Sequence, residues 1–209
     1  MRVVWGAAVL CLTLAGSAGA RPAEITWDWY RNAETYLRYA HPDPAMATKY
    51  FRLAAEAGND AAQYKLGEHY LNGIGVAADP VQACAWFDKA ASAGNRYAAV
   101  KLGECFQKGV GLARDPVAAV KWYEVAIAKG NPYGSHMLGM MLADGDGVPK
   151  DEKRARDCLE LSVRETGDPW AKWRLARLIG PREPDRARRL FAEAAAQGNI
   201  ESWLALNPD

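Results

Sequence analysis

Leu66-Gly67, Leu102-Gly103 and Leu138-Gly139 recur at a step of 36 residues. The markers around them keep the same step. Gly73-x-Gly75-Val76 returns as Gly109-x-Gly111-Leu112 and as Gly145-x-Gly147-Val148. Asp79-Pro80 returns as Asp115-Pro116, with Asp151-Glu152 as a weaker copy. Ala83/Trp86, Ala119/Trp122 and Ala155/Cys158 follow, then Gly94-Asn95, Gly130-Asn131 and, one residue late, Gly167-Asp168. A period of this length marks one supersecondary unit that buries its apolar face only by stacking on its neighbours.

Each unit reads as two antiparallel helices. Helix A, over residues 61–72 in the first clear copy, carries the Leu-Gly pair, and the glycine lets a neighbouring helix come close despite a propensity cost of about 1 kcal/mol. Gly73 and Gly75 stop it, since glycine accepts left-handed geometry at a C-terminal cap. Asp79 suits the N-cap of helix B, and Pro80 suits its first position, where no amide hydrogen is needed. Helix B, residues 80–93, places Ala83, Trp86, Phe87, Ala90 and Ala91 at helical spacing and ends at Gly94. Residues 44–59 repeat the helix B pattern after a divergent helix A at 25–40. Residues 170–179 and 184–199 form a shortened last pair, only 31 residues from Gly167 to Gly198. The expected fold is all-α: a right-handed α/α solenoid of about five helix-pair repeats plus a C-terminal capping helix. Its units are 24–60, 61–96, 97–132, 133–169 and 170–199, with the cap at 200–206, in a single domain over 21–209.

The 209 residues contain 8 Trp, 9 Tyr and 4 Phe among 50% hydrophobic residues, enough to fill the spaces between helix pairs and to argue against disorder. Residues 1–20 read as a cleaved signal peptide: Arg2 is a short basic start, residues 3–15 are mostly apolar, and Ala18-Gly19-Ala20 has the small-x-small form of a cleavage site. Export to a bacterial periplasm or the medium follows as an expectation. The charge, 26 Lys+Arg against 25 Asp+Glu, becomes 25 against 25 once Arg2 is removed. That balance speaks against nucleic acid or an anionic membrane surface as the partner. Three cysteines, Cys84, Cys105 and Cys158, would remain, an odd number that leaves at least one thiol free or paired between chains. They are expected to be small buried or half-buried helix residues.

The order Ala-x-x-x-Leu-Gly-x-x-Tyr-x-x-Gly-x-Gly-Val, Asp-Pro, Ala-x-x-Trp-Phe-x-Lys-Ala-Ala-x-x-Gly-Asn resembles the Sel-one-like repeat (SLR) family, a relative of the tetratricopeptide repeats. The resemblance implies an α/α superhelix serving as an adaptor or scaffold for protein complexes. A cysteine-rich branch of the family pairs cysteines seven residues apart across the B-to-A junction. Here those places hold Ala91 and Ala98.

In the tetratricopeptide fold helix A lines the concave face, with open positions five and two residues before and after the Leu. The resemblance thus implies a groove offering Tyr64 and Glu68 from the first unit, Tyr97 and Glu104 from the second, Tyr133 and His136 from the third, and Trp170, Trp173 and Arg177 from the fourth. Tyr97, Tyr133 and Trp170 would be rungs and Tyr64, His136 and Trp173 a second row, with acids toward one end and Arg177 toward the other. Aromatics and Arg dominate protein-binding hot spots. The competing expectation is that these rings fill gaps between helix pairs.

His41, His69 and His136 are far apart and read as surface histidines, so no metal is expected. Asp144-Gly145-Asp146-Gly147 resembles a calcium loop, but Val148 stands at its fifth position and Ala155 where its closing Glu is needed. Gly-x-Gly follows a helix, without the preceding strand of a nucleotide fingerprint. No serine stands in Ser-x-x-Lys or Gly-x-Ser-x-Gly, and Cys105 beside Glu104 has no histidine at a fixed partner position. Arg182, Arg186, Arg188 and Arg189, interleaved with Glu183 and Asp185, read as a solvated helix face. No catalytic residue and no cofactor is expected. The function expected is an exported scaffold or regulator that holds a peptide or helix of an envelope or membrane protein. The alternatives are an envelope hydrolase with an unlocated site and a secreted binder of host factors.

Overall fold

The computed structural model describes residues 22–38 and 42–206. The expected signal peptide over 1–20 and His41 lie outside the described residues. The remainder is eleven helices in sequence: α1 (Pro22–Arg38), α2 (Pro44–Glu56), α3 (Asp60–Asn72), α4 (Pro80–Ser92), α5 (Arg96–Lys108), α6 (Pro116–Ala128), α7 (Pro132–Asp144), α8 (Glu152–Thr166), α9 (Pro169–Ile179), α10 (Pro184–Ala196) and α11 (Ile200–Leu206). Among the described residues there is no strand. Each helix packs on the next, in pairs α1/α2 to α9/α10, with α11 closing on α10, as an α/α solenoid does.

Local chemistry explains the boundaries. Asp43, Asp79, Asp115 and Asp151 cap the B helices, Asp115 Oδ1 accepting from the amides of Val117 and Ala118. Asn59, Asn95 and Asn131 cap α3, α5 and α7 in the same way. Two of these asparagines also reach back to the preceding helix A. Asn95 Nδ2 donates to Asp60 Oδ2 at 3.0 Å, and Asn131 Nδ2 donates to the Arg96 carbonyl at 3.1 Å. The start of each helix A is thereby tied to the start of the next.

The Leu-Gly pair does what its spacing suggests. A Cβ on Gly103 would stand 2.5 Å from the Tyr123 ring, so the aromatic of helix B lies directly on bare backbone. The two glycines of Gly-x-Gly have different tasks, although both were expected to stop the helix. Gly109 is the stop, at φ 69°, with its amide donating to Cys105 O. Gly111, at φ 75°, would place a Cβ 2.1 Å from Pro80 O, so the loop rests on the first turn of the preceding helix B. Tyr123, Phe51, Phe87, Leu66, Leu102 and Leu159 are fully buried between helices. Each such side chain contributes roughly 1.5–3 kcal/mol of burial.

Several expectations need correction. Cys84 and Cys105 are joined by a disulfide, with Cα atoms 6.3 Å apart, so they are not independent buried thiols and Cys105 is no nucleophile. The reason is geometric: a helix B position faces the position 21 residues later on the next helix A. Thr48 and His69 occupy the same two places one repeat earlier, with Thr48 Oγ1 2.7 Å from His69 Nδ1. Val120 and Met141 occupy them one repeat later, in the central core. Cys158 is half-buried and free. His69 and His136 are not surface histidines, being 3% and 8% exposed. The acids of the Asp144–Gly147 turn join repeats: Asp146 accepts from Gln107 Nε2 at 2.8 Å and pairs with Arg114, and Asp144 pairs with Arg174. Arg186 is not merely solvated, since it bonds Glu160 of α8 as well as Glu183 at the start of its own helix, while Arg188 and Arg189 are exposed.

Candidate interaction surface on the helix A stripe

Tyr97, Tyr133 and Trp170 stand at one repeat position on α5, α7 and α9, next to the capping residues Asn95, Asn131 and Asp168. They are 50%, 49% and 50% exposed. A ring that filled a gap between helix pairs would be buried, as Tyr123 is at 0%; these three rise out of the surface as a ladder. The second row lies deeper. Tyr64 and Trp173 are half-buried and His136 is buried, and the equivalent Val100 is buried as well. Tyr64 meets Tyr97 with ring centroids 6.2 Å apart, His136 stacks on Tyr133 at 5.5 Å, and Trp173 meets Trp170 edge-on at 6.1 Å. Each rung is thus braced by a second-row ring from the same or the preceding helix A.

The acids toward one end of the stripe carry lysine partners of their own. Glu68 accepts from Lys65 Nζ at 2.9 Å and from the Tyr64 hydroxyl at 2.8 Å. Burial, and then the hydrogen bond to Glu68, pushes the Tyr64 hydroxyl well above its ordinary range. Glu104 is flanked by Lys101 at 3.3 Å and Lys108 at 3.8 Å. Both carboxylates are therefore matched by lysines of their own helices, a pairing visible in the i, i+3 and i, i+4 spacing. At the other end the Arg177 guanidinium carbon lies 5.0 Å from the Trp173 ring centroid, a cation–π contact, with Arg177 itself exposed.

Two depressions open beside His136. One, of about 520 Å³, is lined by Gln107, His136, Met137, Met140, Asp144 and Asp146. The other, of about 340 Å³, lies between Tyr133 and Trp170 with His136, Ser162, Thr166 and Asp168 around it. Asp168 Oδ2 stands 2.8 Å from His136 Nδ1, a close polar contact between α7 and the start of α9. Burial raises the Asp168 carboxyl, but His136 and the amides of Trp170 and Ala171 outweigh it and hold the group below its usual range. Sequence reasoning named Asp168 only as a repeat marker. The signal was present: a carboxylate replaces the cap asparagine at the one helix A whose predecessor carries a histidine in the second row.

No group of three or more His, Cys, Asp or Glu able to hold a metal occurs among the described residues, and none of their helices is long and apolar enough to cross a membrane. The stripe offers shape, aromatic faces and hydrogen-bonding groups.

No curated protein gives a match to the chain. Among solved structures, it is similar to a protective antigen of uropathogenic Escherichia coli strains displaying an SLR fold, at 27% identity and a TM-score of 0.82 over 87% of this chain and 40% of that one. The chain thus spans well under half of that protein's length. A Sel1 repeat protein from Oxalobacter formigenes matches at 27% identity and a TM-score of 0.79, over 89% of this chain and 75% of its own. An immunity protein from Pseudomonas aeruginosa shares the fold at 19% identity and a TM-score of 0.54, over 85% and 68%. The Sel1 repeat itself matches residues 40–59, 60–95, 96–131, 132–165 and 171–199, and with most of its length so matched the chain belongs to the Sel1 repeat family.

Proposed function

We propose that this chain is an exported scaffold that holds a segment of an envelope or membrane protein along the helix A stripe. Sel1 repeat proteins are in general non-enzymatic scaffolds for protein interaction, which supports the class of function. The observation that carries the finer reading is the ladder itself: three large rings at one repeat position, each about half exposed, on successive A helices. Exposed aromatics in a row on a rigid support bury area at small entropic cost when a partner docks. The Cys84–Cys105 bond supports export, since disulfides persist in oxidising compartments.

The test is the triple variant Tyr97→Ala, Tyr133→Ala, Trp170→Ala in a pull-down from envelope extract, beside cell fractionation of the full chain. All three side chains protrude, so the melting temperature should stay within a few degrees of the parent. Loss of the captured partner at unchanged melting temperature supports the reading. Capture that survives the triple change, or a chain found only in the cytoplasmic fraction, overturns it.

A further inference from the structure

The junction between α7 and α9 departs from the repeat in three ways. Asp168 stands where Asn95 and Asn131 cap the other helices, His136 stands where Val100 fills the second row, and a depression of about 340 Å³ opens between the rungs Tyr133 and Trp170. The departures are related. Asn95 and Asn131 each donate a side-chain N–H to the preceding helix A. A carboxylate has no such hydrogen to give, so the amide link made by Asn95 and Asn131 is replaced, where the depression lies, by the contact of Asp168 with His136 of α7.

The chemistry of the depression selects its occupant. Two half-exposed aromatic faces form its sides, and aromatic faces attract cations. Asp168 supplies a carboxylate whose side chain is about 21% exposed. The N-terminus of α9 would favour an anion, but Asp168 already occupies that place, accepting from the Trp170 amide at 3.0 Å. Burial first, then Glu104, raise the Tyr133 hydroxyl; Lys101 opposes them and Asp168 adds a smaller push upward. His136 is buried at the wall of the cavity, with its Nδ1 2.8 Å from Asp168 Oδ2.

We propose that the depression between Tyr133 and Trp170 is a specificity pocket for one basic side chain, an arginine or lysine, of the segment held along the helix A stripe. The cation lies between the two rings and its N–H groups point at Asp168. This rests on the groove reading above and adds what the groove selects: a segment with a positive residue in register with the fourth rung. An acidic or apolar residue at that register would meet the Asp168 charge without compensation.

The probes are the blocked tripeptides acetyl-Gly-Arg-Gly-amide, acetyl-Gly-Glu-Gly-amide and acetyl-Gly-Leu-Gly-amide, titrated into the full chain while the Trp170 indole N–H resonance is followed. That resonance is identified by its loss in Trp170→Ala. The arginine probe should move it saturably, and the other two should not. Asp168→Asn should weaken the arginine probe about tenfold, the loss of one charge-assisted hydrogen bond. The fold should survive that change, because asparagine is the cap at the equivalent positions of α3, α5 and α7. Should the variant nevertheless melt early, Trp170→Ala, which removes a protruding ring, must abolish binding of the arginine probe, as followed on the Tyr133 ring resonances. Equal response to all three probes, or undiminished arginine binding in Asp168→Asn, overturns the pocket. Arginine binding that obeys these rules while the triple variant still captures its partner upholds the pocket and overturns the groove.

Discussion

The junction between α2 and α3 and the junction between α4 and α5 are built on the same two facing positions, yet different chemistry holds them. In the first, the Thr48 hydroxyl sits 2.7 Å from His69 Nδ1 and 2.8 Å from the carbonyls of Pro44 and Ile74. In the second, Cys84 and Cys105 are covalently bonded. A third junction puts Val120 and Met141 there, in the apolar core. The backbone geometry is nearly constant: Gly75 and Gly111 each rest 2.1 Å, by an added Cβ, from the carbonyl of the proline that opens the preceding helix B. Repeat geometry is therefore set by the loops and the Leu-Gly contacts. The facing pair is free to vary and to set how each junction responds to its surroundings, as expected of a stack in which each unit contacts only its neighbours.

The comparison is broken most severely at the glycines. Gly75→Ala and Gly111→Ala each force a side chain into backbone at positive φ and should cost more than about 3 kcal/mol. Chemical denaturation should then show an early transition for Gly75→Ala, as α1 and α2 separate from the rest. Gly111→Ala should lose less cooperativity while the disulfide is intact and match Gly75→Ala once it is reduced.

Reduction comes next. The disulfide closes a loop of 21 residues, and opening it should cost about 3 kcal/mol, read as a lower urea midpoint in reductant. Replacing Cys84→Val with Cys105→Met, the pair of the third junction, should give a folded chain whose midpoint no longer responds to reductant. A variant that unfolds, or a parent whose midpoint ignores reductant, would show that the junctions are not interchangeable.

The histidine junction should respond to acid. Burial lowers the His69 pKa, Lys65 adds to that, and the Ile74 carbonyl, Glu68 and Glu34 oppose it. The unfolded chain then binds a proton more readily than the folded one. Stability is fully present above the unfolded value of about 6.5 and is lost as pH falls below it, by at most about 1.4 kcal/mol per pH unit. Thr48→Val with His69→Met should remove that part of the slope between pH 7 and 5, measured by urea midpoints. An unchanged slope would assign the acid response to other groups.

The smallest effect concerns the caps that bring the facing residues into place. Asp43→Ala and Asp79→Ala should each cost about 1 kcal/mol, and hydrogen exchange should locate the loss in the first turn of α2 or of α4. The Asp79 change should spread less, because the disulfide holds α4 to α5.

Much of this was legible in residue order. The 36-residue step placed the helix starts at Pro80 and Pro116, the recurrence of the helix B pattern placed those at Pro184 and, after it, Ile200, and the resemblance to the tetratricopeptide fold pointed to Tyr97, Tyr133 and Trp170. Periodicity reports which positions are equivalent. It does not report which equivalent positions on neighbouring helices face one another, so the 21-residue pairing that joins Cys84 to Cys105 and sets Thr48 against His69 stayed hidden. Burial of His69 and His136 was missed for the same reason: a polar residue on an amphipathic helix reads as solvated until its partner across the junction is known. The second glycine of each Gly-x-Gly was assigned a conformational task, whereas its main constraint is steric and comes from the proline that opens the preceding helix B. The matching of Glu68 and Glu104 by lysines was readable from i, i+3 spacing, and its effect on the groove was not drawn.

The cap asparagines carry one more consequence. Asn131 fastens the start of α7 to the Arg96 carbonyl at the start of α5, and Asn95 fastens α5 to Asp60 of α3, so the interval between Tyr97 and Tyr133 is spanned by a polar link beside the rungs. At Asp168 the fastening changes kind: its carboxylate stands 2.8 Å from His136 Nδ1 of the preceding helix A, so the last step of the stripe is held through a titratable pair where the others are held through an amide.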